Sequence, residues 1–271
     1  MKINNLIARR AYFSCARELK NPDWSDDRNR EVFGRDVKPH GHDYTLDVFY
    51  GGEISAHDGM IVNLSDIKPV LNRVLEPLDG AWLNRDLPEF QTQRPTLENI
   101  VEFLWARLPK TLDNSRLSRV RLQESASLWI EKNETTMQLT RCYEFASAHR
   151  LHVPQMSDEE NTALYGKCNN SNGHGHNYGL EVTLAGEPDA QSGAIISLQK
   201  LDEIVEREVF ERFDHKHLNE DCAEFQNLIP TSENLARVIF EILSDKFEGA
   251  KLVKIGLHET TKNYFEVEAQ S

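Results

Sequence analysis

The feature that most constrains this chain is an internal repeat at an offset of 132 to 135 residues. Phe13-Ser14-Cys15-Ala16 recurs as Phe145-Ala146-Ser147-Ala148, and Pro39-His40-Gly41-His42-Asp43-Tyr44 as Gly173-His174-Gly175-His176-Asn177-Tyr178. Asp58-Gly59-Met60-Ile61 matches Ser192-Gly193-Ala194-Ile195, and Leu78-Asp79 with Leu83-Asn84 matches Phe213-Asp214 with Leu218-Asn219. Pro95-Thr96-Leu97-Glu98-Asn99 matches Pro230-Thr231-Ser232-Glu233-Asn234, and Gln123-Glu124-Ser125 matches His258-Glu259-Thr260. Matches in one order at a nearly constant offset define two copies of one unit. The expected domains are 1–134 and 135–271, and the 271 residues suffice for two ordinary cores. The seam, Lys132-Asn133-Glu134-Thr135-Thr136, is too short for a flexible linker.

Periodicity supplies the elements. His174, His176, Tyr178, Leu180, Val182 and Leu184 share one face of an alternating run, as do His40, His42, Tyr44, Leu46 and Val48 in the first copy. Tyr143, Phe145, Ser147, His149 and Leu151 share one parity and predict a preceding antiparallel strand. Apolar residues at three- and four-residue steps predict helices over about 198–212 and 232–247, the second N-capped by Thr231. Strands over about 251–259 and 263–269 close the unit. Each copy therefore reads β-β-α-α-β-β, an α+β fold with an antiparallel four-stranded sheet and helices on one face.

Residues i and i+2 of a strand project from one face, so His174 and His176 aim two imidazoles at one point, with only Gly175 between them. His149, on the neighbouring strand, has the parity to join them. Three histidines with a fourth position open suit a catalytic Zn²⁺ site. Their structural alternative is ordinary sheet-face packing. In the first copy the partner of His149 is Arg17, a cation that cannot ligate zinc, so that site reads as vestigial. It also has Asp36 near the place of Cys168 and Asp79-Gly80 where the second copy has Asp214-His215, but it keeps Thr96, Glu98 and Glu124. On their own, Cys168 is an ordinary small residue and Asp214-His215-Lys216-His217 a solvated loop; His152 and His258 read as surface or edge residues.

The runs Phe145-Ala146-Ser147-Ala148-His149-Arg150-Leu151 and Leu164 through Tyr178 closely resemble the 6-pyruvoyltetrahydropterin synthase family. So do Asp214-His215-Lys216-His217-Leu218-Asn219, Pro230-Thr231-Ser232-Glu233-Asn234-Leu235 and Glu259-Thr260. The resemblance spans the second copy, and the first looks like a divergent version. It implies two tandem tunnelling-fold (T-fold) units, the first inactive and the second a cytoplasmic lyase acting on 7,8-dihydroneopterin triphosphate with release of triphosphate. It also implies zinc on His149, His174 and His176, catalysis by Cys168, Asp214 and His215, and a pterin pocket built from Thr231, Glu233 and Glu259. Five residues separate Cys168 from His174, as in the pyruvoyl-forming branch, whereas the related 6-carboxytetrahydropterin synthases of the queuosine pathway usually have three. The alternatives are therefore the carboxy product or a pterin or metal binder without catalysis.

Composition narrows the partners. With 31 basic and 44 acidic residues the net charge is −13, which argues against nucleic acid and membrane surfaces as partners. No apolar run approaches the ~20 residues of a transmembrane helix, and Arg9 and Arg10 interrupt the place where a signal peptide's apolar core would sit. Cys15, Cys142, Cys168 and Cys222 form no short spacing and read as thiols. An anionic substrate still needs local cations, for which Arg150, Lys167, Lys216 and Lys262 are candidates. The resemblance also implies homo-oligomerisation, since tunnelling-fold units close their sheets into barrels by assembling, and an isolated four-stranded sheet would leave open edges. By that analogy the expected assembly is a trimer of chains forming a pseudo-hexamer, with a four-domain ring of two chains as alternative.

Overall fold

The computed structural model describes residues 5–270. It divides into two compact units, Met1–Thr140 with Ala185–Gln199, and Arg141–Leu184 with Lys200–Ser271. The segment 185–199 thus packs with the first unit, although the repeat assigns it to 135–271.

In the first repeat, β1 (Asn5–Arg17) pairs antiparallel with β2 (His40–Gly52), in a register that sets Arg17 opposite His40 and Cys15 opposite His42. β3 (Ser115–Ser125) pairs with β2, and β4 (Leu128–Lys132) with β3, both antiparallel. Between β1 and β2 lies α1 (Asp26–Phe33), capped by Ser25. Between β2 and β3 lie α2 (Leu64–Leu75), which buries Ile67, Leu71, Val74 and Leu75, and α3 (Leu97–Arg107), capped by Thr96.

The second repeat has the same plan. Its strands lie in the order β5 (Met137–His149), β6 (His174–Ala185), β7 (Lys251–Thr260) and β8 (Asn263–Glu268). Its helices are α4 (Asp158–Tyr165), closed by a Ser157/Glu160 capping box, α5 (Leu198–Val205) and α6 (Ser232–Leu243). The order β-β-α-α-β-β holds, with a short helix added between the first two strands of each copy. The helix expected over 198–212 departs after Val205 into a π-type turn, Glu206–Phe210, and ends at Phe213. The helix expected over 232–247 stops at Leu243.

What places the site is the alternation in β2 and β6. Tyr178, Leu180, Val182 and Leu184 are fully buried, as are Leu46, Val48 and Tyr50 in the first copy. Each such aliphatic side chain contributes roughly 1.5–3 kcal/mol and leaves its strand one orientation. The histidines share that parity at the start of the strand, so they stand at the mouth of the core.

Candidate active site

His149 is 1% exposed, and its Nδ1 lies 2.6 Å from the Pro230 carbonyl. A carbonyl only accepts, so Nδ1 carries the proton and Nε2 presents its lone pair to the site. That Nε2 lies 3.2 Å from His174 Nε2, close to the ~3.3 Å edge of a tetrahedron with metal–nitrogen arms of about 2.0–2.1 Å. Ligand atoms of His149, His174 and His176 all lie within 4.8 Å of one another. His174 Nδ1 and His176 Nε2 are buried without hydrogen-bond partners among the described residues. Burial, reinforced by the neighbouring imidazoles, lowers the pKa values of His149 and His174, favouring the neutral form that a metal requires. Gly175 permits the convergence: a Cβ there would stand 3.1 Å from the Ser147 carbonyl on β5. These residues fit a divalent metal of the zinc type.

Behind the triad, Tyr178 stacks on Phe145 at 5.3 Å and meets His176 edge-on at 5.6 Å. Burial pushes its phenol pKa up, with the Glu259 carboxylate adding to the effect. Glu259, on β7, accepts from the Ser232 hydroxyl at 2.7 Å and from the Asn263 amide at 3.0 Å, and lies 3.7 Å from His176. Burial works to raise its pKa, but these donors and the imidazoles outweigh it, and Glu259 is held below its ordinary range. Ser232 and Asn263 were not visible as site residues; the signal for Ser232 lay in its place between Thr231 and Glu233.

The other expected residues fall into separate groups. Cys168 is partly buried in the tight turn Gly166–Asn169, and its carbonyl accepts from Leu151 N–H at 2.9 Å, two residues beyond His149. Asp214 accepts from Ala146 N–H at 2.8 Å and pairs with His215 Nδ1 at 2.8 Å. Burial would raise Asp214, yet the Ala146 bond and His215 hold it below its ordinary value. The His215 side chain is 82% exposed. Among the described residues no hydrogen bond joins this pair or the Cys168 thiol to the triad. Thr231 caps α6, and Glu233 is exposed beside it. Arg150 lines a cleft of about 510 Å³ with His152, His217 and Asn219, whereas Lys167, Lys216 and Lys262 are exposed. His217 is partly buried rather than solvated, its ring against Gly173.

The first repeat shows what the same frame does with other side chains. Arg17 is 2% exposed; it donates to the Pro95 carbonyl at 2.8 Å, the counterpart of Pro230, and to Glu124, the counterpart of Glu259, at 2.5 Å. His42 lies 3.6 Å from Glu124. A fixed guanidinium thus meets the carboxylate where the second copy gathers three imidazoles. Asp79 accepts from Ser14 N–H at 2.9 Å, as Asp214 does from Ala146, so this aspartate fastens the strand in both copies.

A family model described as 6-pyruvoyl tetrahydropterin synthase matches residues 6–135 and 138–270. A 6-pyruvoyl tetrahydrobiopterin synthase of Drosophila melanogaster is 42% identical over 126 residues, 46% of this chain and 75% of that protein. The Homo sapiens protein of the same name is 40% identical over 126 residues, 46% of this chain and 87% of its own. A putative 6-carboxy-5,6,7,8-tetrahydropterin synthase of Archaeoglobus fulgidus is 37% identical over 94 residues, 35% of this chain and 75% of that protein. The solved 6-pyruvoyl tetrahydropterin synthase of Caenorhabditis elegans, at 40% identity, covers 50% of this chain and 96% of its own, with a TM-score of 0.47. The two matched ranges account for nearly the whole sequence, and the chain belongs to the 6-pyruvoyl tetrahydropterin synthase family.

Proposed function

We propose that the second repeat is a zinc-dependent lyase that converts 7,8-dihydroneopterin triphosphate to 6-pyruvoyltetrahydropterin and releases inorganic triphosphate. The observation that carries this reading is the convergence of His149, His174 and His176 beside Glu259, in the repeat that also has Cys168, Asp214 and His215. His149, His174 and His176 would hold the metal, which when bound supplies positive charge that acidifies a C–H beside the substrate's side-chain hydroxyls.

The chain's own groups account for the rest. Glu259 is kept ionised by its donors and retains lone pairs for a planar ring's N–H and amino group. Thr231 and Glu233 flank that ring. Cys168 takes the proton from the side-chain carbon, and His215 relays it with Asp214 orienting the imidazole. Arg150 receives phosphate oxygens in its cleft. We expect the enzyme in the cytoplasm, and the assembly we favour is the trimer of chains; a two- or four-chain mass in light scattering would replace it.

The test is turnover of 7,8-dihydroneopterin triphosphate with detection of released triphosphate. Cys168→Ala is expected to lower turnover by about 10²–10⁴. A wild type that binds the pterin and releases no triphosphate would leave a non-catalytic binder instead. Product mass separates the pyruvoyl from the carboxy outcome, and we expect the pyruvoyl.

A further inference from the structure

Three substitutions set the surroundings of Glu124 apart from those of Glu259, its counterpart in the second repeat. Glu259 accepts from Ser232 and from Asn263, with His176 3.7 Å away. In the first repeat Ser232 becomes Leu97, and Asn263 becomes Leu128. The hairpin register fixes the second match, because Asn263 pairs with Thr260 and Leu128 with Ser125. Both leucines are buried, and neither side chain can donate a hydrogen bond. The third substitution puts Arg17 in the place of His149.

Glu124 therefore sits 7% exposed with both of its counterpart's donors gone, and Arg17 supplies what they no longer do. The guanidinium donates to Glu124 at 2.5 Å and to the Pro95 carbonyl at 2.8 Å, with His42 3.6 Å from the carboxylate. A guanidinium sets its N–H groups on one carbon in a planar fork. The 2-amino-4-oxo edge of a pterin ring presents a ring N–H and an amino group on one carbon in the same way, and a carboxylate receives either through parallel hydrogen bonds. The space agrees with the chemistry. With the arginine in place, the pocket lined by Arg17, Phe33, Thr96, Glu124, Leu128 and Leu139 keeps only about 50 Å³. A cavity of about 150 Å³ is what admits a benzene ring, and a pterin is larger.

We propose that Arg17 is a built-in ligand of the first repeat. Its guanidinium occupies on Glu124 the place that a 2-amino-4-oxo heterocycle takes on Glu259, and it keeps such rings out of this copy. The likeness to Glu259 rests on the ring pocket proposed above, whereas the guanidinium arm below does not. Arg17 thus decides how many rings one chain binds.

Arg17→Gly tests this, with the first unit followed by its tryptophans, all four of which lie there. The thermal midpoint is expected to fall, because a buried carboxylate loses its partner. Millimolar guanidinium chloride should restore most of the loss. Methylammonium chloride, with equal charge and no planar fork, should not. Guanidinium should do nothing for Arg17→Gly/Glu124→Gln, which has no charge to match. If Arg17→Gly folds only with guanidinium present, refolding yield becomes the readout and the same contrast is expected. In a second arm, calorimetry with 2-amino-4-hydroxypteridine should find one ring per wild-type chain and two per Arg17→Gly chain. Equal effects of the two cations, recovery with neither, or a variant that binds no more rings than wild type would overturn the proposal. One ring per Arg17→Gly chain and none in wild type would leave Arg17 as the built-in ligand and remove ring binding at Glu259.

Discussion

Arg17 and His149 hold one position in two copies, and both reach the carbonyl of the proline that precedes the capping threonine. The imidazole spends one nitrogen on that carbonyl and points the other at His174; the guanidinium spends its second arm on Glu124. The identity of these residues was readable in the sequence, because the repeat aligns them. The ion pair was not, since Arg17 and Glu124 stand 107 residues apart. His215 repeats the lesson in the backbone. It sits at φ +55° where the first copy has Gly80 at φ +76°, and both donate N–H to the strand, at 2.6 and 2.7 Å. A non-glycine residue in that region costs about 1–2 kcal/mol. His215→Gly is therefore expected to leave the thermal midpoint unchanged or higher while turnover drops about 10²–10⁴-fold. A midpoint clearly below wild type would mean that His215 holds the fold rather than the chemistry.

At the scale of elements, the strands were legible because one buried face forces a period of two. The paired short helices α1 and α4 were not, since eight residues with little apolar face leave no period to find. Their signal was in the caps, Ser25 and the Ser157/Glu160 box. The π-type turn after α5 was hidden as well, because Leu201, Ile204, Val205 and Val209 fit an unbroken helix equally well. Nor could periodicity show that 185–199 packs with the first unit, which depends on long-range bonds to Thr96 and Glu98. That docking has a pH signature. Burial pushes Glu98 up to about 7 from an ordinary 4.5, despite the Ile195 N–H bond and the nearby Arg17. A raised carboxyl contributes stability that is full below pH 4.5 and lost as pH rises through about 7, at most about 3 kcal/mol. All four tryptophans, Trp24, Trp82, Trp105 and Trp129, lie in the first unit, so denaturation followed by tryptophan fluorescence reads it alone. The stability difference between wild type and Glu98→Gln should shift by that amount between pH 4.5 and 8; a constant difference would contradict the buried, docked Glu98.

For the whole molecule, the repeat settled what length alone left open, and the family match in two ranges agrees with it. No helix among the described residues is long and apolar enough to cross a membrane. Duplication left one frame with two electrostatic solutions, three converging imidazoles in one copy and an arginine–glutamate pair in the other. The central claim is that metal chemistry belongs to the second copy alone. Metal analysis of the purified chain tests it most directly, in wild type, His149→Ala and His42→Ala. The account expects one zinc per chain in wild type, one in His42→Ala and essentially none in His149→Ala. Two zincs per wild-type chain, or loss of the metal in His42→Ala with retention in His149→Ala, would contradict it.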